Sequence, residues 1–138
     1  MMFLPPKTKV LSRVGLSRVS PFHLDRLAGA MWDGTTREDM ECRINCGELE
    51  AYCAADCLVL IETVDWPVGR ELLIYGMAGS GILKQADDVV HDLRLLAEYK
   101  GCRMIGAHGI PEGWSRIGPR LGFKPVSTHY VMELDDGR

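Results

Sequence analysis

The spacing of apolar residues predicts one long helix over Leu83 to Lys100. Within this stretch the apolar residues recur at helical intervals, and they are Ala86, Val89, Val90, Leu93, Leu96 and Ala97. Because an α-helix turns once every 3.6 residues, this spacing places them on one face, which we expect to pack against a sheet. Charged residues occupy the opposite face, and Asp92 among them is expected to lie in solvent. Gly101 ends the helix.

Shorter helices are predicted on both sides of this long one. Ser20 and Pro21 begin the first, since a serine side chain caps free backbone N–H groups and proline fits the first helical position. Thr36 opens a capping box that begins the second, which stops at Gly47. A further short helix is predicted over Glu112 to Leu121. Together with the long helix, these give about four helices.

Alternating and β-branched apolar runs predict the strands of one sheet. They cover Val10 to Val19, Glu48 to Cys53, Cys57 to Val64, Glu71 to Met77, Arg103 to Ala107 and Val126 to Leu134. The strand ending at Met77 and the strand beginning at Arg103 are joined through the long helix, and a right-handed crossover of this kind connects parallel neighbours. We therefore expect an α/β fold, more narrowly α+β, built on a mixed central sheet.

The composition is typical of an ordinary globular chain. Its 138 residues are 46% apolar and 25% charged, which predicts one domain over residues 1–138 with a short proline-containing arm over about residues 1–9. A net charge of −3 gives no electrostatic reason to expect nucleic acid binding. No apolar run approaches the roughly 20 residues of a membrane-spanning helix, so we expect a soluble protein without a membrane partner.

Five cysteines in a chain without an export signal favour reduced thiols in a cytosolic compartment. Cys42, Cys46, Cys53 and Cys57 form two Cys-x-x-x-Cys motifs, and four thiolates could bind zinc. The other interpretation is that each pair shares one face of its helix or strand and is buried as core thiols. We expect core thiols and no metal, and the zinc alternative stays open.

Two short segments stand out, the run Gly76 to Gly81 before the long helix and Arg120 to Phe123 after the short one. They resemble motifs of the GNAT N-acyltransferase superfamily, and the element order resembles that of the GNAT fold. In that family the first loop turns its backbone amides toward the pyrophosphate of acetyl-CoA, as helix N-termini do for anions. The resemblance implies a mostly antiparallel GNAT-like sheet. If acetyl-CoA binds, the implied contacts are Met77, Gly79, Ser80, Gly81 and Phe123.

The sequence departs from the family pattern at catalytic and binding positions. Gly76 stands where the family carries an Arg or Gln that reaches the phosphates. Gly118 stands where many members carry a tyrosine that protonates the leaving thiolate, and Pro111 replaces an Asn. The glycines of the loop have a second interpretation as a simple turn that permits positive φ.

Three residues remain as candidates for catalysis if the chain is an enzyme. Glu71 and Glu62 lie on neighbouring predicted strands and could act as the general base, and Tyr130 could act as the acid. The alternative for either glutamate is a solvated or salt-bridged side chain at a strand end.

Size, element order and the altered loop together resemble the degenerate GNAT-like internal virion proteins of short-tailed bacteriophages. This resemblance implies a non-catalytic structural or interaction protein without a cofactor, located in the virion or the host cytoplasm. Its partners would be proteins, either other virion components or further copies of itself. The alternative is a cytoplasmic acetyl-CoA-dependent N-acyltransferase.

Overall fold

The computed structural model describes residues 4–30, 34–81, 83–107 and 118–126, together with residues 132 and 134. The strands are β1 Ser12–Val14, β2 Glu50–Ala54, β3 Cys57–Trp66, β4 Gly69–Ala78 and β5 Met104–Ala107. The α-helices in this part of the chain are α1 Pro21–Ala30, α2 Arg37–Asn45 and α3 Ala86–Tyr99. Short 3-10 turns cover Leu16–Arg18 and Pro119–Leu121.

The five strands form one sheet in the order β1-β2-β3-β4-β5. Neighbours from β1 to β4 are antiparallel, whereas β4 and β5 are parallel, with Glu71 opposite Met104 and Ile74 opposite Ala107. The helix α3 connects these two parallel strands, which confirms the predicted crossover. The mixed, mostly antiparallel α+β fold class is likewise confirmed.

A β-bulge interrupts the pairing of β3 with β4. Leu60 lies opposite Gly76 and Ile61 lies opposite Ile74, so Tyr75 is the extra residue on β4. The extra residue of a bulge is left outside the ladder and redirects the side chains that follow. The last part of β4 therefore leaves the regular pleat just before the glycine-rich turn.

Helices cover both faces of the sheet. Against one face α3 packs its apolar side, and the buried residues of this α3-side cluster include Val59, Ile61, Leu72, Val89, Val90, Leu93 and Ala97. Against the other face lie the first two helices, and this α1–α2 cluster includes Leu24, Leu27, Met40, Ile44, Leu58 and Leu60. The predicted buried face of the long helix is thus confirmed, although α3 begins at Ala86 rather than Leu83.

The expectation that Asp92 lies in solvent is wrong. Its side chain is fully buried and its two carboxylate oxygens accept hydrogen bonds from the backbone N–H groups of Lys9, Val10 and Leu11, at 2.7 to 2.9 Å. The end of the N-terminal arm and the two residues after it, Lys9 to Leu11, supply these donors beside the sheet, and a buried donor needs a partner. The helical spacing places Asp92 on the charged face of the helix, but it carries no information about a backbone segment that is distant in sequence and packs there.

The structure confirms some of the other predicted element boundaries and changes others. Thr36 caps α2 through a complete capping box with Asp39, as predicted. The predicted strand Val10 to Val19 is shorter, because the chain leaves the sheet after Val14 and buries Val19 through a 3-10 turn instead. The predicted helix Glu112 to Leu121 and strand Val126 to Leu134 lie mostly outside the described residues.

The expectation of core thiols is wrong for Cys42 and Cys46, whereas Cys57 is buried and Cys53 is half-buried. Cys42 and Cys46 are exposed, because α2 turns Met40 and Ile44 inward instead. Cys57 packs in the α3-side cluster and Cys53 against the α1–α2 cluster. These two lie on different strands of a hairpin, so the period-two rule does not join them. Within the described ranges no group of three or more metal-ligating side chains occurs.

Among the described residues, none of the helices has both the length and the apolar character needed to cross a bilayer.

Candidate functional site

The end of β4 and the turn that follows it form the candidate site. Gly79 and Gly81 have φ angles of 121° and 79°, a region that glycine adopts without the strain a Cβ would bring. Ser80 lies between them, and turns lead from Gly81 to the start of α3 at Ala86. Backbone N–H groups in such alternating turns commonly form concavities that bind anions.

Gly79 fits tightly against the turn between β2 and β3. A Cβ placed on it would lie 2.0 Å from the carbonyl oxygen of Asp56 and 2.8 Å from Cα of Cys57. The neighbouring thiol of Cys57 donates a hydrogen bond to the carbonyl of Ser80 at 3.2 Å. The absence of a side chain at Gly79 therefore lets the backbone of the β2–β3 turn come close, rather than leaving room for a ligand. Gly81, in contrast, faces open space.

The side chain of Asp56 closes the loop from the same turn. Its Oδ2 accepts a hydrogen bond from the hydroxyl of Ser80, and its Oδ1 lies 3.4 Å from Nε2 of His23. The Ser80 hydroxyl lowers the pKa of Asp56, and although partial burial opposes this, the Ser80 backbone N–H and His23 add to the lowering. An ionised carboxylate therefore lies at the loop.

Asp56, Ser80 and His23 do not form an activated nucleophile. A catalytic serine needs a base within hydrogen-bond distance, and a third group then orients that base. Here the carboxylate lies between the serine and the histidine, and its lowered pKa makes it a weak base. The contact therefore holds the loop on the β2–β3 turn.

The other predicted cofactor contacts are Met77 and Phe123, and Gly76 and Gly118 are the positions where the sequence departs from the family pattern. Met77 and Phe123 are half-buried and pack against the α3-side cluster. At Gly76 a Cβ would approach Cδ2 of Leu27 to 2.9 Å, so this position is filled by α1. Gly118 is buried before the 3-10 turn that leads to Phe123.

Glu62 and Glu71 lie on the sheet face that α2 covers. Glu62 is opposite Leu73 and Glu71 is opposite Val64, which makes the two carboxylates diagonal neighbours across β3 and β4. Such neighbours have Cα atoms about 7–8 Å apart. The structure therefore brings these two predicted residues together. Tyr130 lies outside the described residues.

Both carboxylates already have partners. Glu62 receives a hydrogen bond from Nη2 of Arg43 at 2.8 Å, and Arg43 also contacts Glu48 and lies over the ring of Tyr75. Glu71 accepts a hydrogen bond from Nε1 of Trp66 at 3.0 Å. Sequence reasoning anticipated salt-bridged glutamates as one alternative, and Glu62 fits that interpretation.

A cleft lined by three glutamates lies beside Glu62. Its volume is about 340 Å³, and its lining residues are Gly47, Glu48, Glu50, Glu62 and Thr63. Glu50 is bound by Nζ of Lys100 at 2.6 Å and by Arg13 at 3.3 Å. Arg43 pairs with the other two glutamates of the cleft, Glu48 and Glu62, so all three carboxylates are balanced by cationic side chains.

Sequence reasoning missed Asp56, His23, Arg43 and Tyr75 as site residues. Asp56 lies in a segment that the sequence identifies only as a turn, and nothing local links it to Ser80 across 24 positions. His23 occupies a helical position with no charged neighbour in sequence. Short-range patterns therefore held no signal for this cluster.

Comparison with known proteins supports the fold. No family model and no curated protein matches the sequence. An aminoglycoside acetyltransferase from an uncultured soil metagenomic sample is similar in structure, with a TM-score of 0.64, 14% identity, and coverage of 91% of this chain and 97% of that one.

A ribosomal-protein-alanine N-acetyltransferase from Brucella melitensis biovar Abortus has a TM-score of 0.59 and 15% identity, covering 90% of this chain and 99% of its own. A tetramutant of a Bacillus halodurans protein has a TM-score of 0.63 and 9% identity, covering 91% and 100%. At these identities the similarity shows the fold alone. The chain therefore has the fold of GNAT acetyltransferases over most of its length.

Proposed function

We propose that this chain is a non-catalytic GNAT-fold protein that acts through contacts with other proteins. The observation that carries the proposal is the closed loop after β4. Gly79 packs against the backbone of Asp56, and the carboxylate of Asp56 takes the hydroxyl of Ser80. These contacts support the proposal because one glycine of the loop faces the β2–β3 turn, and a carboxylate already takes the hydroxyl donor of Ser80.

The loss of two further groups supports the same proposal. With glycine at position 76, packed on Leu27, one charge-assisted contact worth about 1.5 to 3 kcal/mol is absent, which corresponds to roughly a tenfold to hundredfold loss of affinity. With glycine at position 118, general-acid assistance of about 10² to 10⁴ in rate is absent.

We expect acetyl-CoA to bind in the high-micromolar range or not at all, and acetylation of generic amines to be undetectable. Calorimetric titration and a thiol-release assay measure the two quantities. Gly81→Asp is a suitable control variant, since Asp tolerates positive φ better than most residues and adds a charge facing open space. Low-micromolar affinity that Gly81→Asp abolishes, together with turnover, would show an enzyme instead.

The finer proposal is a component of a bacteriophage virion or of its assembly pathway. Chain length, element order and the altered loop support it through their resemblance to internal virion proteins. Exposed apolar side chains such as Phe22, Trp66 and Val68 offer surface for protein contacts.

We expect the protein to be present at a fixed copy number in purified particles of the phage that encodes it. Quantitative mass spectrometry of gradient-purified particles measures this, with a host cytosolic protein of similar abundance as the control for carry-over. Absence from the particles and from assembly intermediates would contradict the virion proposal and leave the GNAT fold unaffected.

The second candidate function is an acetyl-CoA-dependent N-acyltransferase. The glutamate-lined cleft beside Glu62 favours it, because a carboxylate there could take a proton from a basic acceptor. Among the similar structures, some are acetyltransferases with amine-bearing substrates in their names. Under this function Glu62 or Glu71 would deprotonate the acceptor amine.

A further inference from the structure

We propose that the carboxylate of Asp56 is a built-in anion of the β4–α3 loop and determines that the loop excludes phosphate-bearing ligands. The inference rests on the proposed function and deepens it, because it names the residue whose side chain occupies the donors of the loop. It concerns ligands with pyrophosphate groups, of which coenzyme A is one and inorganic pyrophosphate the simplest.

The loop shares with many anion-binding turns a pair of glycines at positive φ. Ser80 lies between Gly79 and Gly81, both at positive φ, and can present a hydroxyl and a backbone N–H on one side. Such successive donors form a concavity for an anion. In this structure the anion at these donors is the carboxylate of Asp56, which accepts the Ser80 hydroxyl through Oδ2.

The main chain holds Asp56 in this place. The carbonyl of Asp56 packs so closely on Gly79 that no Cβ fits between them. The main chain of Asp56 therefore stays beside the loop, and the contacts with Ser80 and His23 hold the carboxylate against it. An incoming phosphate would meet the negative charge rather than displace it.

His23, on α1, contacts the carboxylate of Asp56. Its ring is 8% exposed, and Nε2 lies 3.4 Å from Oδ1 of Asp56. The other ring nitrogen, Nδ1, is buried and has no hydrogen-bond partner among the described residues. The ring thus offers its polar contact toward Asp56, and α1 fixes one oxygen while Ser80 fixes the other.

The outer side of the carboxylate remains open to solvent. The side chain of Asp56 is 65% exposed, so a ligand would approach it directly. Repulsion between exposed charges is screened by salt over a Debye length of about 10 Å at 0.1 M. The exclusion of a phosphate should therefore be strongest at low ionic strength.

Calorimetric titration of coenzyme A and of inorganic pyrophosphate into wild type and Asp56→Asn tests the proposal. Asparagine retains the size of the side chain and can still accept from Ser80. We expect both ligands to bind about tenfold more tightly to Asp56→Asn at low salt, with a smaller gain at 0.5 M salt. Asp65→Asn is the matched control, because it changes net charge equally at the exposed far end of β3.

Equal affinity of wild type and Asp56→Asn, or an equal gain in Asp65→Asn, would overturn the inference. Tight acetyl-CoA binding with turnover by the wild type would instead overturn the proposed function, so the two failures are distinct. If Asp56→Asn does not fold, Ser80→Ala provides the second test. Removing the hydroxyl should raise the pKa of Asp56 in an NMR titration, and an unchanged pKa would refute the contact.

Discussion

Replacing Asp92 by alanine is expected to lower the free energy of unfolding by about 3 to 5 kcal/mol, because three backbone donors of the arm lose a buried charged acceptor. Denaturant unfolding measures the loss. Asp88→Ala is the matched control, since Asp88 lies on the same helix, is half-exposed and makes only a 4.0 Å ion pair with Lys9. It should cost less than about 1 kcal/mol. Similar losses in both variants would contradict a special role for Asp92.

The same contact predicts a dependence of stability on pH. Burial acts to raise the pKa of Asp92, but the N–H groups of Lys9, Leu11 and Val10, with His91, lower it below its ordinary value. The stabilisation is therefore complete above the unfolded pKa of about 3.9 and is lost as pH falls through the folded pKa. Unfolding measured from pH 7 to pH 3 should show this acid-side loss in wild type and a weaker one in Asp92→Ala.

Gly79→Ala is expected to cost about 4 kcal/mol or more, or to prevent folding. The added Cβ would lie 2.0 Å from the backbone carbonyl of Asp56, and φ at this position is 121°. The clash could be relieved only by moving the backbone, and the strain only by changing φ. Thermal and denaturant unfolding measure the effect.

Gly106→Ala is the informative comparison for this variant. Its Cβ would lie even closer to an atom, 1.9 Å from Oε2 of Glu71, but that atom ends a flexible side chain. The carboxylate can rotate away, at the expense of its hydrogen bond from Trp66, so a loss below about 1.5 kcal/mol is expected. Equal losses in the two variants would show that the β2–β3 turn yields and that Gly79 is not essential.

Local patterns were sufficient to predict much of the fold. The period of α3, the capping box at Thr36 and the β-branched run of β3 each depend on residues close in sequence. The parallel pairing of β4 with β5 followed from the element order, because a strand–helix–strand unit usually joins parallel strands.

Contacts between distant segments could not be predicted in this way. Asp92 looks like a solvated helix residue until the arm lies over it, and Asp56 looks like a turn residue until Ser80 meets it. The same limit explains the cysteines, since the faces of Cys53 and Cys57 depend on how the hairpin pairs. The glycines therefore predicted where the candidate site lies, but the sequence did not predict that Asp56 and His23 contact it.

The contact between the arm and Asp92 also constrains the order in which the chain can fold. Lys9 and Asp92 are separated by 83 positions, so the arm finds its acceptor only after α3 has been synthesised. Contacts of such long sequence separation form slowly because a large loop must first close. The backbone N–H groups of Lys9, Val10 and Leu11 therefore lack their buried acceptor until α3 has packed on the sheet. The residues around Lys9 are thus among the last to be secured.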